Sequence, residues 1–209
     1  MLICPACGEE NPPRFRLCGF CGTPLVAAPS AEVRKTVTVL FSDVAGSTAM
    51  GERLDPESLR EVMGRYFAVM SAAIERHGGT VEKFIGDAVM AVFGLPRAHE
   101  DDALRAVRAA LDMRAGLDAL NADLERDYGV TMANRTGVNT GEVVTNEAAG
   151  NQRLATGDAV NVAARLEQAA PAMETLLGAL THALVRDGGP EEGHDRVADE
   201  LLDRAAETL

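Results

Sequence analysis

The spacing of apolar and polar positions changes period several times along the chain. "TVTVLFSDV" (Thr36–Val44) is a β-branched apolar run that ends on Asp43, which predicts a buried strand. "AGST" then reads as a turn. From Asp55 the period becomes helical, with Leu59, Val62, Met63, Tyr66, Phe67, Met70 and Ile74 on one stripe. Asp55 can cap that helix, Pro56 suits its first turn, and Gly78-Gly79 stop it. Residues 80–93 are two short apolar runs joined by Gly86-Asp87, a β-hairpin pattern with Lys83 inside its first run. A second long helix is predicted from Glu100 to about Arg126, with Leu104, Val107, Leu111, Leu117, Leu120 and Leu124 inward. "VTMANRTGVNTGEVVT" reads as strand, turn, strand. A helix follows from near Asp158 to before Pro171, then a short strand "ETLLG" and a short helix "ALTHALVRD". The order β-α-β-β-α-β predicts an α+β, ferredoxin-like sheet with its helices on one face. Residues 188–209 are acidic, with Val197, Leu201, Leu202 and Ala205 at helical spacing, and predict a helical tail.

Composition narrows the function classes. A length of 209 residues fits one domain with a small appendage. With no Trp and 4% aromatic residues, the core has to be aliphatic. A formal net charge of -12 argues against non-specific binding to DNA or RNA, which needs a basic face. An anionic ligand would need metal ions or a local basic cluster to neutralise it. No run approaches the ~18 apolar residues that span a bilayer, and the N-terminus lacks a signal-peptide pattern. The expectation is a cytoplasmic protein with no membrane partner.

All four cysteines lie in the first 21 residues, as Cys4, Cys7, Cys18 and Cys21 in a C-x2-C-x10-C-x2-C pattern. Two such knuckles suit one tetrahedral Zn2+, and a Gly after each pair lets the backbone turn toward the metal. So short a segment cannot bury a core, so the metal has to supply its folding energy. Residues 1–25 are therefore expected to be a zinc ribbon. It is structural or partner-docking rather than catalytic, because four thiolates leave no open coordination position. Residues 26–35 are expected to be a linker, and 36–187 the main domain.

Asp43 ends one strand and Asp87 sits in a hairpin turn. If the first strand lies beside the hairpin, the two carboxylates approach each other and can hold two Mg2+ or Mn2+ ions against a triphosphate. Alternatively, Asp43 caps the next helix and Asp87 makes the turn. The residues alone leave both readings open.

"FSDVAGST", "EKFIGDAVMAVFG", "RTGVNTGEVV" and "GDAVNVAARLEQ" together resemble the class III nucleotidyl cyclases, from about Thr36 to Asp187. The resemblance implies head-to-tail homodimers that convert ATP to 3',5'-cyclic AMP and pyrophosphate, with active sites at the subunit interface. It implies that Asp43 and Asp87, with Val44 beside them, bind the metals. It implies Lys83 as the purine reader, since an ammonium donates to adenine N1, whereas guanylyl cyclases usually carry Glu there. Asn161 and Arg165 match the pair that orients ribose and stabilises the transition state, and the resemblance implies that Asp43 and Asp87 of one chain face Lys83, Asn161 and Arg165 of the other. Arg135, Phe41, Gly46, Ser47 and Thr48 match substrate-binding positions. The chain departs from the family twice. Leu154 stands where a second purine reader, Asp or Thr, is usual, and the acidic tail replaces a final strand pair. Those departures keep a guanylyl cyclase, or a weak or inactive regulatory module, as the alternative. A protein partner for the ribbon or the tail is a further expectation.

Overall fold

The computed structural model describes residues 1–25, 32–148 and 151–187. Most of the predicted linker and the whole predicted tail lie outside these described residues.

At the N-terminus β1 (Leu2–Ile3) pairs antiparallel with β2 (Glu10–Asn11). The main domain is one sheet with helices on both faces. Its elements are β3 (Glu32–Ala45), α1 (Ser47–Arg53), α2 (Pro56–Arg76), β4 (Thr80–Ile85), β5 (Ala88–Phe93) and α3 (Asp102–Tyr128). They continue as β6 (Ala133–Ala148), β7 (Asn151–Thr156), α4 (Asp158–Ala169), β8 (Thr175–Leu177) and α5 (Ala179–Asp187). The strand order is β4-β5-β3-β6-β7, with β8 parallel to β6.

Three sequence expectations change. First, the strand expected to begin at Thr36 begins at Glu32. Its polar start reads like linker, but Glu32–Lys35 pair with Asn146–Val143 of β6, and Arg34 ion-pairs with Glu142 at 3.5 Å. Second, "NTG" is no turn: Asn139-Thr140-Gly141 run through the middle of β6, opposite Val39, Thr38 and Val37. The side chains that looked like turn formers are used in packing. Buried Asn139 donates to the Ala159 carbonyl at 3.2 Å, and buried Thr140 joins Thr38 and Thr181, each at 2.9 Å. Third, the helices are not all on one face. α2, α3 and α5 cover one side, in a core that includes Leu40, Val44, Ala91, Phe93, Met113 and Leu117. α4 covers the other, where Ala159 and Ala163 meet Val37, Val39, Phe41, Met90 and Val92. β3 and β5 are apolar on both faces because both faces are buried, as a doubly covered sheet requires.

The helix punctuation is as expected. Asp55 accepts from the Glu57 and Ser58 amides at 3.0 and 3.1 Å, Pro56 occupies the first turn, and Gly78 has a φ of 74°. Phe84 packs on Phe67 of α2 with the rings tilted by 52° and their centroids 4.6 Å apart, which ties the hairpin to that helix.

Candidate active site

Sheet register places the candidate residues. Phe41 pairs with Met90 on one side and Gly137 on the other, and Met90 pairs with Lys83. Directly opposed residues share a face, so Lys83, Met90, Phe41 and Gly137 form one row across the α4 side of the sheet. Two residues on, Asp43 pairs with Arg135 on that same side. The awkward Lys83 is explained by a bulge. The β4–β5 register shifts between Val81 and Lys83, so Val81 and Phe84 both pack toward α2 while Lys83 is exposed on the opposite face.

α4 lies unusually close to β6. A Cβ at Gly137 would stand 2.3 Å from the Ala163 carbonyl oxygen and 2.3 Å from the Glu167 amide, and one at Gly141 would stand 3.0 Å from the Ala159 Cβ. The small residues of "RTGVNTG" and "DAVNVAA" thus face each other. Ala159, Ala163 and Glu167, spaced by four, form the buried line of the helix. Asn161 and Arg165 are each two residues off that line, about 200° around the helix. Both are exposed.

Asp43 and Asp87 come together at the strand ends, near enough for Asp87 to act electrostatically on Asp43. Burial, then the charge of Asp87, pushes the Asp43 carboxyl up, against the Arg135 guanidinium. Arg135 Nη2 donates to Asp43 Oδ2 at 3.1 Å and lies 3.3 Å from Glu167 Oε1. Burial likewise raises the Glu167 carboxyl, with Arg135 opposing. Asp43 Oδ1 is buried without a hydrogen-bond partner. An orphaned carboxylate oxygen beside a second carboxylate fits a hard divalent cation. The Val44 side chain is buried toward α2 and α3, which leaves its backbone as its sole route to a ligand. Gly46 adopts a left-handed φ of 78° and leads into α1 at Ser47. The side chains of Thr48 and Leu154 lie outside the described residues. In backbone register Leu154 pairs with Thr145 and, across a bulge, Thr156 with Val144.

The sequence reading missed Glu167, and also Ser42, Asn134 and Thr136, whose side chains form a fully buried hydrogen-bonded trio on the other sheet face. Glu167 did leave a signal: a charged residue that continues the line of Ala159 and Ala163.

In the ribbon, Cys4 Sγ lies 3.5 Å from Cys21 Sγ and Cys7 Sγ 3.6 Å from Cys18 Sγ, and all four sulfurs lie within 4.8 Å of one another. None forms a disulfide. Zn–S bonds of about 2.3 Å in a tetrahedron put sulfurs roughly 3.8 Å apart, so the set fits zinc. Gly8 and Gly22 turn both knuckles with φ of 77° and 73°, and their amides donate to the Cys4 and Cys18 carbonyls. Burial works against a thiolate at Cys18, but amides of Cys21 and Phe20 and the Asn11 side chain bring its pKa down to about 6.

This sheet, with the acid pair at one end and α4 laid across glycines, is a nucleotidyl cyclase fold. Residues 30–197 match the adenylate and guanylate cyclase catalytic domain, and the chain belongs to that family. A domain family of unknown function matches residues 2–26. The chain is 34% identical over 137 residues to adenylate cyclase 1 of Rhizobium meliloti and 34% over 140 residues to an adenylate cyclase of Anabaena cylindrica. Each match covers 64% of this chain but 21% and 27% of those relatives, so the shared region is about a quarter of their length. Among solved structures, the adenylyl cyclase CyaB from P. aeruginosa superposes with a TM-score of 0.69 at 35% identity, covering 75% of this chain and 83% of that one. The guanylyl cyclase Cya2 gives 0.69 at 30% identity, covering 79% and 85%. No helix among the described residues is long and apolar enough to cross a membrane.

Proposed function

We propose that this domain is an adenylyl cyclase that converts ATP to 3',5'-cyclic AMP and pyrophosphate at sites shared between two copies of the chain. One observation carries the reading. Asp43 and Asp87 lie at the strand ends of the sheet, whereas Asn161 and Arg165, which would act together with Lys83 of their own chain, point about 200° away from the line of α4 that meets that sheet. A substrate that touches both groups needs α4 from a second chain.

The roles follow from the side chains. Asp43 and Asp87 would hold Mg2+ or Mn2+, which when bound activates the ribose 3'-oxygen and neutralises phosphate charge. Lys83, exposed and held off the core by its bulge, donates to adenine N1; guanine carries a donor there and leaves the ammonium unpaired. Phe41 floors the neighbouring row. The Gly46–Thr48 turn brings backbone amides to the phosphates, and Arg135 adds positive charge on the same face. Across the interface from Asp43 and Asp87, on the chain that also supplies Lys83, Asn161 orients the ribose. Arg165 stabilises the charge that builds on the α-phosphate as the 3'-oxygen attacks and pyrophosphate leaves.

The test is direct. Purified protein with Mn2+ and either ATP or GTP should make cyclic AMP faster than cyclic GMP, and Asp87→Ala should make neither. Wild type that yields no more product than Asp87→Ala defeats the reading. Leu154, at the position of the second base reader, supports a second reading in which the domain binds nucleotide without turnover. Retention of ATP with no product in the same assay would favour it.

A further inference from the structure

Arg135 is the shared counter-ion of two carboxylates. Its Nη2 reaches Asp43 Oδ2 at 3.1 Å and Glu167 Oε1 at 3.3 Å. Glu167 is the more buried partner, its side chain 8% exposed against 22% for Asp43. It comes from α4, which glycine contacts press onto β6 at this point. Arg135 Nε, Asp43 Oδ1 and Glu167 Oε1 are all buried without hydrogen bonds, so Glu167 meets Arg135 as an ion pair and not through a hydrogen bond. The guanidinium therefore does not close a bidentate fork on Asp43, the geometry an isolated Arg–Asp pair favours. Around this one guanidinium Glu167 feels the charges of Asp43 and Asp87, and Asp43 feels that of Asp87.

We infer that Glu167 is a positioning residue: by sharing Arg135 it keeps the guanidinium from closing on Asp43 and so leaves Asp43 able to take a divalent cation. This rests on the reading of Asp43 and Asp87 as metal carboxylates. Without Glu167, Arg135 has one partner, and the cation has to displace a full Arg–Asp fork. With Glu167, Arg135 retains a buried counter-charge when the cation arrives, so the guanidinium is not left without an ionic partner.

The experiment titrates Mn2+ alone against the full chain and follows free ion by electron paramagnetic resonance, beside thermal melts. Glu167→Gln preserves shape and should bind Mn2+ about tenfold more weakly, the low end of what outer-shell carboxylates contribute to metal affinity. Glu167→Gln with Arg135→Gln should recover that loss, and Arg135→Gln alone should bind more tightly than wild type. The inference is overturned if Glu167→Gln binds as tightly as wild type. It is also overturned if the double variant fails to recover, or if Arg135→Gln weakens binding; a purely structural Glu167 gives these last results. Wild type that binds no better than Asp43→Asn overturns the metal reading itself, and this inference with it.

Discussion

Gly137→Ala tests how α4 is held. Gly137 lies mid-strand, and its added methyl would meet backbone rather than a movable side chain. The Ala163 carbonyl oxygen and the Glu167 amide would each stand 2.3 Å away, and the Glu167 Cα 3.0 Å away. Reaching even the shortest contact that real Cβ atoms tolerate means lifting α4 by about 0.7 Å, and cores resist such overpacking at about 1–3 kcal/mol. For a chain of this size that lowers the melting temperature by roughly 2–12 °C. The displaced helix carries Asn161 and Arg165, and shifts near 1 Å in positioning elements cost on the order of 10²-fold in rate. Gly141→Ala is the internal comparison. Its tightest contact is 3.0 Å, to the Ala159 side chain, so it should cost less on both readouts. Melts and cyclic nucleotide assays on the two variants decide the matter. A Gly137→Ala protein that melts with wild type, or Gly141→Ala as the worse of the pair, refutes the argument.

Other consequences are sharper in sign than in size. The purified protein should carry one zinc per chain by metal analysis, and Cys18→Ser should lose it while the cyclase domain melts unchanged. Thr140→Val should cost about 1–3 kcal/mol by urea denaturation, because it strands the buried hydroxyls of Thr38 and Thr181. The triple change to Val at all three positions should cost less than the sum of the singles. The His77 hydrogen bond, with help from Arg76, holds the Asp112 carboxyl below its usual value. A depressed carboxylate contributes stability above the ordinary carboxylate range and loses it as pH falls through its lowered pKa. Asp112→Asn should therefore lose less stability than wild type on acidification from pH 5 to pH 3, and an equal loss contradicts the pairing.

Much of this was legible in the chain because local and tertiary demands agreed. Asp55-Pro56 and Gly78 mark the ends of α2 through cap chemistry that acts within a few residues. The cysteine spacing marked the ribbon because metal geometry sets it. What failed was non-local. Asn139-Thr140-Gly141 carry turn propensity, but a full-length partner in β3 and a helix lying on Gly137 and Gly141 outweigh it. That β3 is buried on both faces was visible in its unbroken apolar run, yet the run does not say which helix covers which face. Lys83 looked misplaced because a strict period of two puts it beside Val81; a bulge between the two moves it to the other face, and that shift leaves no mark in the local sequence. Glu167 was overlooked because its partner, Arg135, is 32 residues away in sequence, on β6.

The claim that one site draws on two chains is tested most directly by complementation. Asp87→Ala and Arg165→Ala are each expected to be inactive, one failing on the sheet and the other on α4. Mixed in equal amounts and allowed to exchange, half of the resulting dimers pair one of each and contain one intact site. The mixture should then recover about a quarter of wild-type cyclic AMP production. A mixture that makes no more product than either variant alone, while wild type is active, would contradict the account.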